Sequence, residues 1–275
     1  MQSTETIQAV QGYYGGLAER GSTDKSEDYQ MSVAKAFGYD PEDLKSLPKN
    51  ANLGVSCGNP LALASLREGE TVIDLGSGGG IDVILAARKV GPKGKAIGVD
   101  MTKKMLALAH QNVEKAGISN ASFVEGFITA IPLEDSTADC IISNCVVNLV
   151  PKEQKSLVFH EMFRLLKPRG RVAISDILAR QELPPEVVNN LALYVGCIAG
   201  ASQVQEYHSY LKDAGFSDIM IVDTKANLNV YKDMPQGKKP GCCGMSCSDV
   251  PNSKIQDYDC NEWAGSFQIY AVKPR

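Results

Sequence analysis

Eight cysteines are the most distinctive chemical feature of this 275-residue chain, because that number is high for a cytosolic protein. The thiols belong to Cys57, Cys140, Cys145, Cys197, Cys242, Cys243, Cys247 and Cys260. A disulfide scaffold is not expected, since the chain is long enough to form its own core and residues 1–19 lack the apolar segment of a signal peptide. The sequence therefore predicts a cytoplasmic protein whose thiols act as ligands, redox groups or buried packing.

A glycine-rich loop that follows an apolar run is the most specific motif. It reads Val72-Ile73-Asp74-Leu75-Gly76-Ser77-Gly78-Gly79-Gly80. A dinucleotide site would need Gly-x-Gly-x-x-Gly, but Ile81 occupies the third glycine position. Asp100, at the end of the next predicted strand, can accept hydrogen bonds from both hydroxyls of a ribose, whereas Asp74 would attract an ammonium group and repel a pyrophosphate. The motif favours a cationic amino-acid nucleoside over NAD.

The charge balance argues against a nucleic-acid partner. Lys and Arg number 28 against 32 Asp and Glu, a net charge of −4, and the basic pairs Lys103-Lys104 and Lys238-Lys239 are isolated. No apolar run reaches the roughly 18–20 residues that a membrane-spanning helix requires. We therefore expect a small-molecule substrate, with no nucleic acid and no membrane as partner.

The glycine loop and Asp100 must be held by a sheet. Short β-branched runs predict strands at Thr71–Leu75, Lys95–Val99, Ala121–Val124, Cys140–Ser143 and Arg171–Ser175. Helical patterns lie between them at Ile81–Val90, Thr102–Ala116 and Lys152–Leu166. Such alternation predicts an α/β protein with a parallel sheet covered by helices on both faces.

Three regions are predicted: an N-terminal helical cap at 1–68, the α/β core at 69–180, and a C-terminal region at 181–275. The last region is expected to hold the helices Pro185–Ala199 and Ser202–Ala214 and strands near Asp218–Asp223 and Ser266–Val272, the final one at the sheet edge. Its segment 234–262 is rich in cysteine.

Five motifs together carry a resemblance to a known family. They are Tyr13-Tyr14-Gly15, Ser56-Cys57-Gly58-Asn59-Pro60, the loop Asp74–Gly80, Ser143-Asn144-Cys145-Val146-Val147-Asn148-Leu149 and Tyr194-Val195-Gly196-Cys197-Ile198-Ala199-Gly200-Ala201. Over about residues 10–230 the chain resembles class I S-adenosylmethionine-dependent methyltransferases, and within that class the arsenite methyltransferases. The resemblance implies a Rossmann-like fold: a seven-stranded, mostly parallel sheet with helices on both faces, plus a smaller C-terminal α+β region.

The resemblance also implies a binding site for S-adenosylmethionine. Asp74 to Gly78 would line its methionine end, Asp100 its ribose, and Asn144 would lie near the reacting methyl group. The full set of expected cofactor residues is Tyr14, Gly15, Asp74, Gly76, Ser77, Gly78, Asp100, Met101, Gly126, Phe127, Ile128 and Asn144.

Three cysteine contexts narrow the resemblance to arsenic. Cys57, Cys145 and Cys197 would bind As(III), a soft centre that prefers thiolates, and would leave its lone pair free to take the methyl group. The substrates would be arsenite or methylarsenite as thiol adducts, and no general base is needed. Without the resemblance, each of these cysteines taken singly is better explained by packing, which is the role we predict for Cys140.

Methylation formally oxidises arsenic, so a second thiol is needed to supply, together with Cys57, the electrons that return it to the trivalent state. Many members of the family carry a further cysteine in the N-terminal segment, but Tyr14 to Lys49 contains none. Cys57 could form a disulfide with another thiol, whose identity the sequence leaves open, and glutathione or thioredoxin would then reduce it. The cluster Cys242, Cys243 and Cys247 fits arsenite capture, a redox shuttle or, with Cys260, a zinc site. We favour capture, with a solvent-exposed cluster without a function as the nearest alternative.

Two other functions remain open at this point. A methyltransferase for a small organic metabolite would keep the cofactor site but not need three thiols. A non-catalytic, thiol-rich protein would bind arsenic or another soft metal without turnover.

Overall fold

A computed structural model describes residues 3–20, 24–183, 188, 197–232 and 259–275. Most of the predicted helix Pro185–Ala199 lies outside the described residues, as do Cys242, Cys243 and Cys247. Cys197, at the end of that predicted helix, lies in a turn that runs to residue 200.

Seven strands form one sheet in the order β3-β2-β1-β4-β5-β7-β6. They are β1 Thr71–Leu75, β2 Lys95–Asp100, β3 Ala121–Glu125, β4 Ala138–Asn144, β5 Leu166–Ala179, β6 Ser217–Asp223 and β7 Ala264–Val272. Strands β1 to β5 pair in parallel, and β7 is antiparallel to both of its neighbours. The predicted seven-stranded, mostly parallel sheet is confirmed. The final strand, β7, lies between β5 and β6 instead of at the edge of the sheet. Its nine residues pair with the last nine residues of β5, Arg171 to Ala179.

Helices cover this sheet among the described residues. They are α1 Ser3–Arg20, α2 Asp24–Ala36, α3 Pro41–Lys45, α4 Pro60–Ala64, α5 Ile81–Val90, α6 Lys103–Lys115, α7 Lys155–Leu165, α8 Val204–Asp213 and α9 Cys260–Trp263. The predicted helix Lys152–Leu166 is correct only in its middle. Residues Lys152–Gln154 form a 3-10 turn after Pro151, and Leu166 already belongs to β5.

The alternation of side chains along each strand sends apolar residues to both faces. Ile73 belongs to the same buried cluster as Phe159 of α7 and Leu211 of α8, whereas its neighbour Val72 belongs to a second cluster with Val83 of α5 and Leu61 of α4. A sheet buried on both faces explains why the core strands are continuous apolar runs in the sequence. The arrangement leaves the carboxyl ends of β1, β2 and β4 as the place where loops can form a site.

Helix α1 lies across this end of the sheet. It packs against α6, and the Gln11 amide donates a hydrogen bond to the Met101 carbonyl at 3.1 Å, just after β2. No described helix is both long and apolar enough to cross a membrane.

Candidate functional site

The glycine loop turns tightly between β1 and α5. Gly76 has φ +68°, and a Cβ there would lie 2.4 Å from a methyl carbon of Val146. Its backbone N–H and that of Ser77 donate to the Val99 carbonyl, at 2.7 and 3.0 Å, which ties the loop to β2. Only glycine fits both the left-handed backbone and the contact with Val146. The loop therefore leaves an open crevice above β1.

A cavity opens at this crevice, with about 1130 Å³ of space including its mouth. The cavity lies at the carboxyl ends of β1, β2 and β4, which is where an open α/β sheet binds its ligand. All of the cofactor residues expected from the sequence line this cavity except Gly15. Gly15 lies on α1 and faces α6, where an added Cβ would meet Lys104 and Thr102 at 3.5 and 3.7 Å.

Three buried carboxylates line the cavity: Asp74, Asp82 and Asp100. Burial raises the pKa of Asp74 well above its ordinary value, and the charges of Asp82 and Asp100 add to that rise. Burial likewise raises the pKa of Asp82 to about 6 and that of Asp100, although hydrogen bonds from Thr102 and Gly78 oppose the rise at Asp100. Like charges held out of water favour a cationic ligand. The sequence did not predict Asp82 as a site residue, because an acid in the first turn of a helix is ordinarily explained by its stabilising effect on the helix N-terminus.

The Ser77 hydroxyl is a second sign of a polar ligand. It is buried and has no hydrogen-bond partner among the described residues. Such groups are costly unless a ligand or water satisfies them. A hydroxyl without a partner, beside three carboxylates, fits a ligand that carries both positive charge and hydrogen-bonding groups.

Asn144, at the end of β4, is held by hydrogen bonds on both ends of its amide. The nitrogen donates to the Tyr39 hydroxyl at 2.8 Å and the Gly58 carbonyl at 2.9 Å, and the oxygen accepts from the Cys57 N–H at 3.2 Å. Tyr39 in turn donates to Asp82 at 2.7 Å. Asn144 therefore links the carboxylate end of the cavity to the segment that carries Cys57.

Cys57, Cys145 and Cys197 belong to one buried cluster beside the cavity, but the sulfur of Cys197 is not among the ligand atoms that lie within 4.8 Å of those of Cys57 and Cys145. Cys57 and Cys145 form a disulfide with their Cα atoms 5.8 Å apart, and the Cys197 thiol donates to the Cys145 carbonyl at 2.9 Å. Their exposed fractions are 0%, 5% and 2%, so water has almost no access to the sulfur atoms. Cys145 also lines the cavity, which makes it the point where the two parts of the site meet. The disulfide pairs Cys57 with Cys145 in this structure.

The backbone is strained at two of these cysteines. Cys145 has φ +61° and Cys197 has φ +66°, a left-handed conformation that costs a non-glycine residue about 1–2 kcal/mol. Backbone strain of this kind concentrates at functional sites. This backbone conformation directs the side chains of Cys145 and Cys197 into the same buried cluster, which also contains Cys57. Cys140, by contrast, packs in the sheet core, where burial raises the pKa of its thiol to about 12.

Close approach of two segments places Cys57 next to β5. A Cβ on Gly58 would lie 2.4 Å from the Cβ of Ser175, so the chain around Cys57 can pass only where residue 58 has no side chain. The Ser266 hydroxyl on β7 donates to the Cys57 carbonyl at 2.6 Å and holds the segment from the other side. The thiol cluster thus rests on β4, β5 and β7.

A buried polar network lies under the thiols and was not found from the sequence. A carboxylate oxygen of Asp176 lies within 4.8 Å of the sulfur atoms of Cys57 and Cys145. Asp176 accepts hydrogen bonds from Asn148 and Tyr207, and Lys155 donates to Asn148. Burial raises the pKa of Asp176 to about 6 and lowers that of Lys155 to about 8. In the sequence these two residues look like ordinary solvent-facing charges.

The fold is that of a methyltransferase domain. A family model described as a methyltransferase domain matches residues 66–215, and the chain belongs to this family.

Within that family the chain is similar to arsenite methyltransferases. It is 42% identical over 243 residues to the arsenite methyltransferase of Halobacterium salinarum. This match covers 83% of this chain and 62% of the relative. The arsenite methyltransferase of Homo sapiens is 30% identical over 257 residues, 88% of this chain and 66% of the relative. The chain thus spans slightly less than two thirds of the length of these curated relatives.

A solved structure of an arsenic methyltransferase is also similar to this chain. The chain is 29% identical to an arsenic (III) S-adenosylmethionine methyltransferase from Chlamydomonas reinhardtii, with a TM-score of 0.59. The match covers 89% of this chain and 73% of that one. The predicted Rossmann-like methyltransferase fold is confirmed.

Proposed function

We propose that this chain transfers the methyl group of S-adenosylmethionine to trivalent arsenic bound by Cys57, Cys145 and Cys197. The observation that carries the proposal is the junction, at Cys145, of a carboxylate-lined cavity with a buried cluster of three cysteines. Arsenite or methylarsenite, delivered as a thiol adduct, would be the acceptor. The products would be methylated arsenicals, so the reaction would serve detoxification. Similarity to the arsenite methyltransferases supports this activity.

The cavity fits S-adenosylmethionine, which supplies an electrophilic methyl group on a sulfonium sulfur. Asp74 and Asp82 would face its positive charges, and Asp100 would accept hydrogen bonds from its ribose. Phe127, with 46% of its surface exposed, is free to cover the adenine together with neighbours on the same rim. These neighbours are Met101 and Ile128. Tyr14 on α1 would close the cavity, and the unpartnered Ser77 hydroxyl would find a partner.

Arsenic would bind by exchange of its ligands for thiols. Each cysteine thiol that replaces a hydroxyl of arsenite releases one water, and each that replaces glutathione releases one glutathione. Three thiolates leave the arsenic lone pair free as a nucleophile, so no protein base has to remove a proton. The protein's work is to point that lone pair into the cavity and to exclude water, which the burial of the three cysteines favours.

Methyl transfer oxidises arsenic from the trivalent to the pentavalent state, so two electrons must be returned. Two thiolates that leave arsenic as a disulfide supply them, and the Cys57–Cys145 bond fits that role. Cys197 would keep the methylated, trivalent product, whose third ligand would be a hydroxide from water or a glutathione thiolate, taken up with release of one proton. Glutathione or thioredoxin would reduce the disulfide by thiol exchange, which suits a protein of the cytoplasm.

The test is a turnover assay with S-adenosylmethionine, glutathione and arsenite, read by chromatography with mass detection of arsenic. We expect methylated arsenic from the wild type and from Cys140→Ala, whose thiol lies in the sheet core, and none from Cys145→Ser or Cys197→Ser. Wild-type protein that binds the cofactor but yields no methylated arsenic would refute the proposal. Tight arsenite binding without turnover would then indicate a sequestering protein, and no binding an organic acceptor.

A further inference from the structure

We propose that the Asp176 carboxylate stabilises the positive charge that reaches arsenic during methyl transfer. The inference rests on the proposed function and adds a group to the reaction that is not a thiol. Asp176 lies near the carboxyl end of β5, directly after Ser175, against which the segment of Cys57 packs.

Asp176 is positioned beside the place that arsenic would occupy. One of its oxygens lies within 4.8 Å of the sulfur atoms of both Cys57 and Cys145. The side chain is fully buried, with an exposed fraction of 0%. A charge in such a place interacts far more strongly than one in water, because little solvent lies between it and the thiols.

The hydrogen bonds around Asp176 are those of an ionised carboxylate. One oxygen accepts from the Asn148 amide at 2.8 Å and from the Ile177 N–H at 2.9 Å, and the other accepts from the Tyr207 hydroxyl at 2.7 Å. Two N–H donors on one oxygen and a hydroxyl within hydrogen-bond distance of the other favour the ionised form. They also fix the carboxylate before the reaction begins, so that no reorganisation is needed when charge develops.

Lys155 does not take this carboxylate as its direct partner. Its ammonium donates to the Asn148 oxygen at 3.3 Å, to the Ser202 hydroxyl at 2.9 Å and to the Gly200 carbonyl. The lysine therefore fixes the Asn148 amide and the turn after Cys197. The amide of Asn148 stands between the ammonium and the carboxylate, and the carboxylate keeps its charge next to the thiols.

The chemical step explains why a negative charge is useful there. Three thiolates on trivalent arsenic form a neutral group. When its lone pair forms the As–C bond, the C–S bond of the sulfonium breaks and its electron pair stays on sulfur, which becomes a neutral thioether. The positive charge thus moves from sulfur to the arsenic group. Asp176 faces the end point of that movement, so its charge favours the transition state over the ground state.

The test compares three purified full-length variants in single-turnover experiments, with arsenite bound before S-adenosylmethionine is added. Asp176→Asn removes the charge and keeps the shape, and we expect its methyl-transfer rate to fall on the order of 100-fold. Tyr207→Phe removes one hydrogen bond but keeps the charge, and its rate should fall less than about fivefold. Asp139→Asn, a carboxylate at the start of β4 that pairs with Lys167, is the control for loss of a partly buried charge.

Two further readouts separate charge from structure. Arsenite affinity, measured by calorimetry, should stay within about threefold of wild type in all three variants, since the thiols make the bonds. Equal losses of rate in Asp176→Asn and Tyr207→Phe would overturn the proposal in favour of a positioning role, as would an unchanged rate in Asp176→Asn. Should Asp176→Asn fail to fold, Tyr207→Phe decides alone: a retained rate supports the charge, and a 100-fold fall overturns it. A wild type without methylated arsenic would refute the proposed function instead.

Discussion

At the scale of single residues, the site combines two kinds of group with different chemistry. Asp74, Asp82 and Asp100 line the cavity, and Cys57, Cys145 and Cys197 belong to a buried cluster that meets it at Cys145. Carboxylates suit a cationic ligand, and thiols suit a soft one. The two sets adjoin at Asn144 and Cys145, adjacent residues at the end of β4.

The buried carboxylates predict a pH dependence of cofactor binding. In the absence of ligand, burial raises the pKa of Asp74 and that of Asp82, the latter to about 6, and the charges of Asp82 and Asp100 add to the rise at Asp74, so protons are held there. A cationic ligand favours the ionised carboxylates, so binding releases protons and affinity rises with pH. We expect the affinity for S-adenosylmethionine to rise between about pH 5 and pH 7.

Calorimetry in buffers of different ionisation enthalpy measures this proton release directly. Asp82→Asn should weaken the pH dependence, and so should S-adenosylhomocysteine, which lacks the sulfonium charge. An affinity that does not change with pH, or that falls as pH rises, would contradict the assignment of these carboxylates to a cation.

At the scale of elements, the position of Cys57 depends on one close contact. Gly58→Ala would place a Cβ 2.4 Å from that of Ser175, which must push the segment off β5. We expect a loss of about 1–3 kcal/mol in the free energy of unfolding. Arsenite affinity should fall as well, because Cys57 moves away from Cys145.

The contact can be relieved from its other side. Ser175→Gly removes the opposing side chain, and its hydroxyl has no partner among the described residues, so little is lost with it. The double variant Gly58→Ala with Ser175→Gly should therefore regain most of the stability and arsenite affinity. Gly12→Ala on α1, where an added Cβ meets nothing within 4 Å, is the matched control. Failure of the double variant to recover would show that the contact does not position Cys57.

The elements were predictable from the sequence to the extent that local patterns determine them. Strand β1 and helix α5 have the predicted bounds, because a buried parallel strand is a continuous apolar run and the glycines mark its end. The insertion of β7 beside β5 could not be predicted, since pairing across the chain leaves no local signal. The same holds for Asp176 and Lys155, whose burial depends on partners such as Tyr207 that are distant in sequence. The disulfide partner of Cys57 needed the fold, because Cys145 lies 88 residues away.

At the scale of the whole molecule, the Cys57–Cys145 disulfide joins the N-terminal part of the chain to the sheet. It closes a loop of 88 residues, for which chain entropy predicts a stabilisation of about 3–5 kcal/mol. The oxidised protein should therefore unfold at higher urea concentration than the reduced protein. It should also fail to bind arsenite, because two of the three thiols are consumed.

Arsenite should restore the stability that reduction removes, since a ligand that binds only the folded, reduced protein raises the free energy of unfolding with the logarithm of its concentration. Urea unfolding of oxidised protein, reduced protein and reduced protein with arsenite measures all three states. Cys140→Ala should behave like the wild type in each. Equal stability of the oxidised and reduced forms would contradict a structural role for this disulfide.

The central claim is that bound arsenic receives the methyl group and that Cys57 and Cys145 return its electrons. A single turnover without external reductant tests both parts: reduced protein carrying one arsenite is mixed with S-adenosylmethionine, and arsenic species and cysteine pairs are measured by mass spectrometry. We predict methylated trivalent arsenic and the Cys57–Cys145 disulfide in equal amounts, with S-adenosylhomocysteine. Methylated arsenic without that disulfide, or no methylated arsenic at all, would contradict the account.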